Sequence, residues 1–371
     1  MGSTCGQSIK LSLFGESHGE MIGVTITGLA PGIALDMEYI QREMRKRASR
    51  SDISTGRRES DAARIVSGYF NGYTTGTPLT ILIENTDTSS KDYTKTKDIL
   101  RPSHADYTAY QKYLGYQDYR GGGHFSGRLT APLVAAGAIC KQILESKGIY
   151  IGTHIQVLKD IEEKRFSMNE EELLDQVKQL RNKEFPVLEE TSEEVMKECI
   201  LSHKMQLDSI GGILESVIVN MPAGIGEPFF HSIESTLSSL LYSIPAVKGV
   251  EFGLGFGFST ETGSSANDPF YMEKDTIKTR TNHNGGINGG ISNGMPIVLR
   301  TCIKPTPSIY RFQDSVNYAT KENTTLQIEG RHDPAIIHRA CPVVDCVLAI
   351  GILDLICTRY GYMWQRNEES L

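Results

Sequence analysis

Polar and apolar residues alternate over 9–14, and Val24 and Ile26 alternate with Thr25 and Thr27 further on. Period-two alternation marks a half-buried strand, so 9–29 reads as a hairpin. Residues 36–47 read as a helix, with Asp36 near its start and basic residues at its end, as the helix dipole favours. A polar loop follows, then a strand pair around 63–69 and 78–84, punctuated by Gly76 and Pro78. Residues 85–103 are polar and too long for a plain connector, which makes them a candidate lid. An alanine-rich helix is expected over 129–147, then a strand over 149–158. Leu173, Leu174, Val177 and Leu180 fall at helical spacing within 169–182. A second charged amphipathic helix is expected over 192–206, the two forming a pair that covers a sheet. Strands over 213–219 and 249–258 flank a helix over 231–243, and 342–359 reads as a core helix. The elements interleave without a regular β-α-β alternation, repeat or linker. One compact domain spanning 1–371 is expected.

Composition narrows the class. Of 371 residues, 39% are hydrophobic and 22% charged, as in an ordinary globular chain with a large core. The net charge of −7 and the lack of a lysine-rich tail argue against nucleic acid as a partner. Within this acidic chain Arg42, Arg45, Lys46, Arg47, Arg50, Arg57 and Arg58 cluster, which suits a small anionic ligand. Seven scattered cysteines, with no C-x-x-C and no H-E-x-x-H, give no support for a metal site. The first ten residues lack an apolar signal core, and the apolar run 343–356 is broken by Asp345 and Asp354 and too short to span a bilayer. A cytoplasmic setting with no membrane partner is expected.

Two segments carry candidate chemistry. In TKTKDILRPSHADYTAYQKYLGYQDYRGGGHFSGRLTAPLVA, His104, His124, Arg101, Arg120 and Arg128 surround Gly121, Gly122 and Gly123, just before a helix. Glycines and helix N-termini let backbone N–H groups approach an anion, so a phosphate or flavin site is one reading. An ordinary glycine turn with solvated arginines is the other. In LFGESHGEMIGVTITGL, Glu16, Ser17 and His18 sit in a turn between two strands, a place for a proton donor or for a surface histidine. GLGFGF at 253–258 fails as a dinucleotide fingerprint, because Phe258 stands where the third glycine belongs. NHNGGINGGISNG at 282–294 offers either a flexible loop or a backbone surface for a flat ring. KPTPSI at 304–309 offers a cation and hydroxyls, and GRHDP at 330–334 either chemistry or a salt-bridged loop. From the residues alone, the reading ends at acid–base chemistry on a phosphorylated, carboxylated substrate.

The motifs FGESHG, RPSHADY, DYRGGG, DSIGG, SIPAVKGVEFG, NGGINGGISNGMPI, KPTPSI and GRHDP occur in this order between Gly6 and Leu355. In this the chain resembles the chorismate synthases. The resemblance implies a single-domain β-α-β sandwich of antiparallel sheets and helices that assembles as a homotetramer. It implies anti-1,4-elimination of phosphate from 5-enolpyruvylshikimate 3-phosphate, with reduced FMN required, no net redox change, and NADPH as a candidate reductant. By the matching motifs, His18 would assist the departing phosphate, and His104 would protonate the reduced flavin. Asp333 would act in removing the ring proton, and Ser17 and Ser126 would place these groups. Arg47, Arg50 and Arg128 would bind substrate. FMN would contact His124, Phe125, Ser126, Ala266, Asn267, Gly289, Lys304, Pro305, Thr306, Pro307, Ser308 and Arg331. The chain departs from the common pattern where His124, Phe125 and Leu129 replace Arg, Ser and Glu, where RPSHAD replaces RPGHAD, and where KRASRSDISTGRRE is one residue shorter. The competing readings are a flavin- or NADPH-dependent oxidoreductase and an inert anion-binding scaffold.

Overall fold

The first hairpin forms where the alternation places it. Strand Lys10–Gly15 pairs antiparallel with Met21–Thr27, and Ile22, Val24 and Ile26 are fully buried. The computed structural model describes residues 2–48, 53–54, 60–86, 97–328 and 333–367. Arg50, Arg331 and most of the candidate lid therefore lie outside the described residues.

The first sheet has five strands, in the order Thr4–Cys5, Lys10–Gly15, Met21–Thr27, Leu79–Glu84, Arg64–Ser67. The second also has five, in the order Val247–Phe252, Ile297–Ile303, Gly212–Val219, Tyr150–Leu158, Ile161–Glu162. Every pairing within both sheets is antiparallel.

Eight α-helices occur among the described residues: α1 Met37–Arg47, α2 Asp106–Tyr113, α3 Thr130–Ser146, α4 Glu170–Leu180, α5 Glu190–Met205, α6 Ile233–Leu241, α7 Gly263–Ala266 and α8 Ile337–Tyr360. Asp36 caps α1, its carboxylate accepting from the N–H groups of Glu38 and Tyr39 at 2.9 and 3.0 Å. Tyr39, Ile40, Glu43, Met44 and Arg47 form the buried face of α1. Helix α3 lies on the first sheet, α8 lies on the second, and the two pack on each other between the sheets. They come very close at Gly137, where a Cβ would stand 2.3 Å from that of Cys346. Only glycine permits that approach, which is why an alanine-rich helix carries one there. The result is a β-α-β sandwich, an α+β fold.

Helix α4 covers the outer face of the second sheet, so Leu214–Val219 is buried on both faces and its burial does not alternate. Helix α8 begins at Ile337, five residues earlier than the sequence suggests. At 24 residues it is long and apolar enough to cross a bilayer, so shortness does not exclude a span; 94% of its most apolar stretch is buried inside the protein. The expected strand 249–258 stops at Phe252, because Gly253 and Gly255 adopt left-handed φ values of 57° and 55°.

Candidate active site

Between α2 and α3 the chain makes two short 3₁₀ turns, Arg120–Phe125 and Gly127–Leu129. Gly121, Gly122 and Gly123 have φ of 58°, 86° and 53°, a region that side chains other than glycine rarely enter. Space imposes the same requirement. A Cβ at Gly121 would lie 2.1 Å from Cε1 of His18 and 3.1 Å from Oγ of Ser17. A Cβ at Gly122 would lie 3.2 Å from Cε1 and 3.3 Å from Nε2 of His104. Bare backbone thus runs between two imidazoles that are 86 residues apart in sequence (104 − 18).

The first hairpin is tied to this turn. Ser17, fully buried, donates its backbone N–H to Gly123 O at 3.0 Å. His124 hydrogen-bonds Gly15 O through Nδ1 and Ser3 Oγ through Nε2, each at 2.8 Å. A carbonyl can only accept, so Nδ1 carries a proton, and Nε2 pairs with the serine hydroxyl. Both ring nitrogens of His124 are therefore used within the chain, which makes this side chain a clasp for the turn. Phe125 is partly exposed and meets Tyr113 edge to face, with ring centroids 6.1 Å apart. Ser126 caps the second turn, its Oγ accepting from Arg128 N at 3.2 Å.

His104 is oriented by a carboxylate. Its Nδ1 lies 2.9 Å from Asp106 Oδ1, and Arg101 grips the same carboxylate through Nε at 2.8 Å and a terminal nitrogen at 2.6 Å. Burial alone would raise the Asp106 pKa, but the hydrogen bonds from Arg101 and His104 outweigh it and hold the group below the usual carboxylate range. An ionised Asp106 fixes the proton on Nδ1 and turns Nε2 toward Gly122. Ser103, just before, has φ of 57°. A glycine meets no penalty in that conformation, which explains the RPGHAD form of the motif; the serine here is strained by about 1–2 kcal/mol.

A third group lies deeper. Arg47 and Arg128 are 5% and 6% exposed, and both bind Asp61, which is 2% exposed. Arg47 reaches Asp61 Oδ2 at 2.6 Å, and Arg128 takes the other oxygen. Burial would raise the Asp61 pKa, but Arg47 and Arg128 lower it overall. Arg128 also donates through Nε to Asn85 Oδ1 at 2.9 Å, while Asn85 Nδ2 donates to Glu16 O and Gly19 O at 3.0 and 2.9 Å. Asn85 thereby ties the His18 turn to Arg128. Asp333 pairs with Arg339 at 2.6 Å.

The remaining expected cofactor residues fall into two groups. Lys304 donates to Ser103 O at 2.8 Å, bringing the strip Lys304, Pro305, Thr306, Pro307, Ser308 against the His104 loop. Burial, then Lys248, lowers the Lys304 pKa. Ser209 Oγ donates to Thr306 O at 2.7 Å, while Thr306 Oγ1 is buried without a hydrogen-bond partner. Ala266 ends α7, Asn267 caps it, and Gly289 lies in the turn between strands Ile287–Asn288 and Ile291–Ser292. Ala266 O faces His283 Nδ1 at 3.1 Å, Asn267 N donates to Gly263 O at 3.2 Å, and Gly289 leaves open space where a side chain would be. These bonds do not reach the glycine turn.

Sequence reasoning thus singled out His18, His104, the glycines and the arginines, and missed Asp61, Asn85, Asp106 and Arg339 as a connected set. Asp106 stands within the quoted RPSHADY motif, two residues after a histidine, and that spacing was the available signal.

Comparison with known proteins gives one answer. The family described as chorismate synthase matches residues 9–357. The chorismate synthase of Pyrococcus abyssi is 45% identical over 356 residues, 95% of this chain and 97% of that protein. That of Methanobrevibacter smithii is 43% identical over 371 residues, the full length of both. A crystal structure of a chorismate synthase superposes with a TM-score of 0.76 at 27% identity, covering 96% of this chain and 94% of that one. With the fold, the motifs and full-length relatives in agreement, this chain belongs to the chorismate synthase family.

Proposed function

We propose that this chain converts 5-enolpyruvylshikimate 3-phosphate to chorismate by a 1,4-elimination that requires reduced FMN, as a lyase of the shikimate pathway. The observation that carries this reading is the bare glycine turn with His18 on one side and His104 on the other. It offers two proton-handling groups and backbone bare of side chains in one place. An inert anion-binding protein needs cations but has no use for paired imidazoles.

The residues present suit a flavin. A side chain at 122 would intrude beside His104 Nε2, and Thr306 carries a buried hydroxyl with no hydrogen-bond partner. Lys304, Pro305, Thr306, Pro307 and Ser308 would hold the ribityl-phosphate arm, and Phe125 and Ser126 would border the ring. His124 would contribute only through its backbone. When bound, reduced FMN supplies electron density to the substrate ring as phosphate departs.

The chain's own residues account for the rest. His104, kept with its Nδ1 on Asp106, presents Nε2 beside the turn as the atom that would pass a proton. His18, on the other side, gives a proton to the leaving phosphate. Asp333 accepts the ring proton. The C–H electron pair forms a new ring double bond, the existing one shifts, and the C–O bond to phosphate breaks, so oxidation state is conserved. Arg47 and Arg128 place two cations against the one carboxylate of Asp61, leaving net positive charge for an anionic substrate. NADPH as the reductant of FMN, a homotetrameric state and a cytoplasmic setting belong to the same proposal.

Anaerobic incubation with substrate and photoreduced FMN tests it. Equal amounts of chorismate and phosphate are expected with reduced FMN and none with oxidised FMN. Adding NADPH to the oxidised reaction tests the reductant. Failure to form chorismate with reduced FMN would contradict the reading.

A further inference from the structure

We propose that Arg339 is a positioning residue for the elimination, setting Asp333 in place and locking it to the end of α1. The inference rests on the reading of Asp333 as the proton acceptor. Arg339 is the third residue of α8, with its side chain largely buried. One terminal nitrogen donates to Asp333 Oδ2 at 2.6 Å, while Nε donates to the backbone carbonyl of Arg47 at 2.9 Å. The guanidinium of Arg47 binds Asp61, which in turn holds Arg128. Asp333 is therefore linked through Arg339 to the backbone of Arg47, whose side chain pairs with Asp61 and so with Arg128, connecting the candidate base to the candidate substrate-binding arginines.

The neighbouring residue reinforces the link. His338 Nε2 lies 2.9 Å from Ser54 Oγ, in the segment after α1, and its ring stacks on Phe185 at 5.9 Å. Arg339 thus holds Asp333 to the α1 end, while His338 ties the same turn of α8 to Ser54. A guanidinium serves two acceptors in different directions at once, whereas the single ammonium of lysine is a compact point charge on a flexible stem. Charge alone therefore does not replace Arg339.

The test is a double-mutant cycle in the reduced-FMN assay, with wild type, Arg339→Ala, Arg339→Lys, Asp333→Asn and the Arg339→Ala/Asp333→Asn pair. Arg339→Ala and Arg339→Lys are each expected to lower kcat about 10²-fold, as a misplaced reacting group does, with KM within about threefold of wild type. The pair should be no slower than Asp333→Asn alone, because Arg339 acts through Asp333. Free guanidinium should restore activity to Arg339→Ala about tenfold and not to the pair, since the cation needs Asp333 to act on. Losses that multiply in the pair, or an effect confined to KM, would overturn the proposal. Thermal melts accompany each variant. If Arg339→Ala does not fold, Arg339→Lys carries the test, and unfolding of both would make Arg339 a residue of the fold and overturn the proposal. Wild-type turnover separates the two levels: no chorismate from wild type removes the functional reading and this one with it, whereas an active wild type with unaffected variants removes this one alone.

Discussion

His104 and His154 both hydrogen-bond carboxylates, and their settings differ in every other respect. His104 gives Nδ1 to Asp106 and turns Nε2 to the backbone of Gly122, with its side chain 18% exposed. His154, in the middle of the second sheet, is fully buried and spends both nitrogens, on Glu163 Oε2 at 2.7 Å and Glu215 Oε2 at 3.0 Å. Burial disfavours its cation, but the hydrogen bonds it donates to Glu163 and Glu215 outweigh this and raise its pKa. The lesson is that a carboxylate partner does not mark a histidine for chemistry. A nitrogen left facing approachable backbone does. His154 is a buried strut with both nitrogens engaged, and His104 is an oriented imidazole with Nε2 turned to the glycine backbone.

The comparison breaks if His154 matters to turnover. Replacing it with Gln leaves Glu163 and Glu215 buried without their cation, an expected loss of about 3–5 kcal/mol in stability. Chemical denaturation measures that loss, while activity per folded molecule should stay at the wild-type level. A pH series sharpens the same point. The folded pKa of His154 lies above the ordinary 6.5, so its contribution to stability is complete below about pH 6.5 and fades as pH rises through the raised value. Denaturation midpoints should therefore lose this contribution on the alkaline side in wild type but not in His154→Gln.

On the other side of the comparison, Gly121→Ala drives a methyl group into the His18 ring and strains a left-handed residue. Turnover should fall about 10²-fold by displacement of that imidazole, with a smaller loss of stability, read from kinetics and melting curves on the same sample. The smallest effect is expected at position 103, where Ser103→Gly relieves a φ of 57°. It should stabilise the protein by about 1 kcal/mol, a thermal shift of a few degrees, without changing kcat.

Much of this was legible in the sequence because it is local. The alternation over 9–14, the Asp36 cap with its basic helix end, and the glycine triplet each declare themselves within a few residues. Helix α2 was missed because it buries only Ala109, so it lacks an apolar stripe to read. The connecting residues were missed for a different reason. Asp61 meets Arg128 across 67 residues, Asn85 meets Arg128 across 43, and Arg339 meets the Arg47 carbonyl across 292. A single polar residue carries no periodicity, and only folding brings such partners together. His124 shows the converse: it stood in the right motif, yet both of its nitrogens are committed inside the chain.

The central claim is that His18 and His104, flanking one glycine turn, do the proton chemistry and that other well-paired histidines do not. Single turnover with reduced FMN and substrate under anaerobic conditions, compared among wild type, His18→Ala, His104→Ala and His154→Gln, tests it directly. The account predicts chorismate formation slowed roughly 10²–10⁴-fold in each of the first two variants and unchanged per folded molecule in the third. Turnover within about threefold of wild type in His18→Ala or His104→Ala, or a loss in folded His154→Gln as large as theirs, would contradict it.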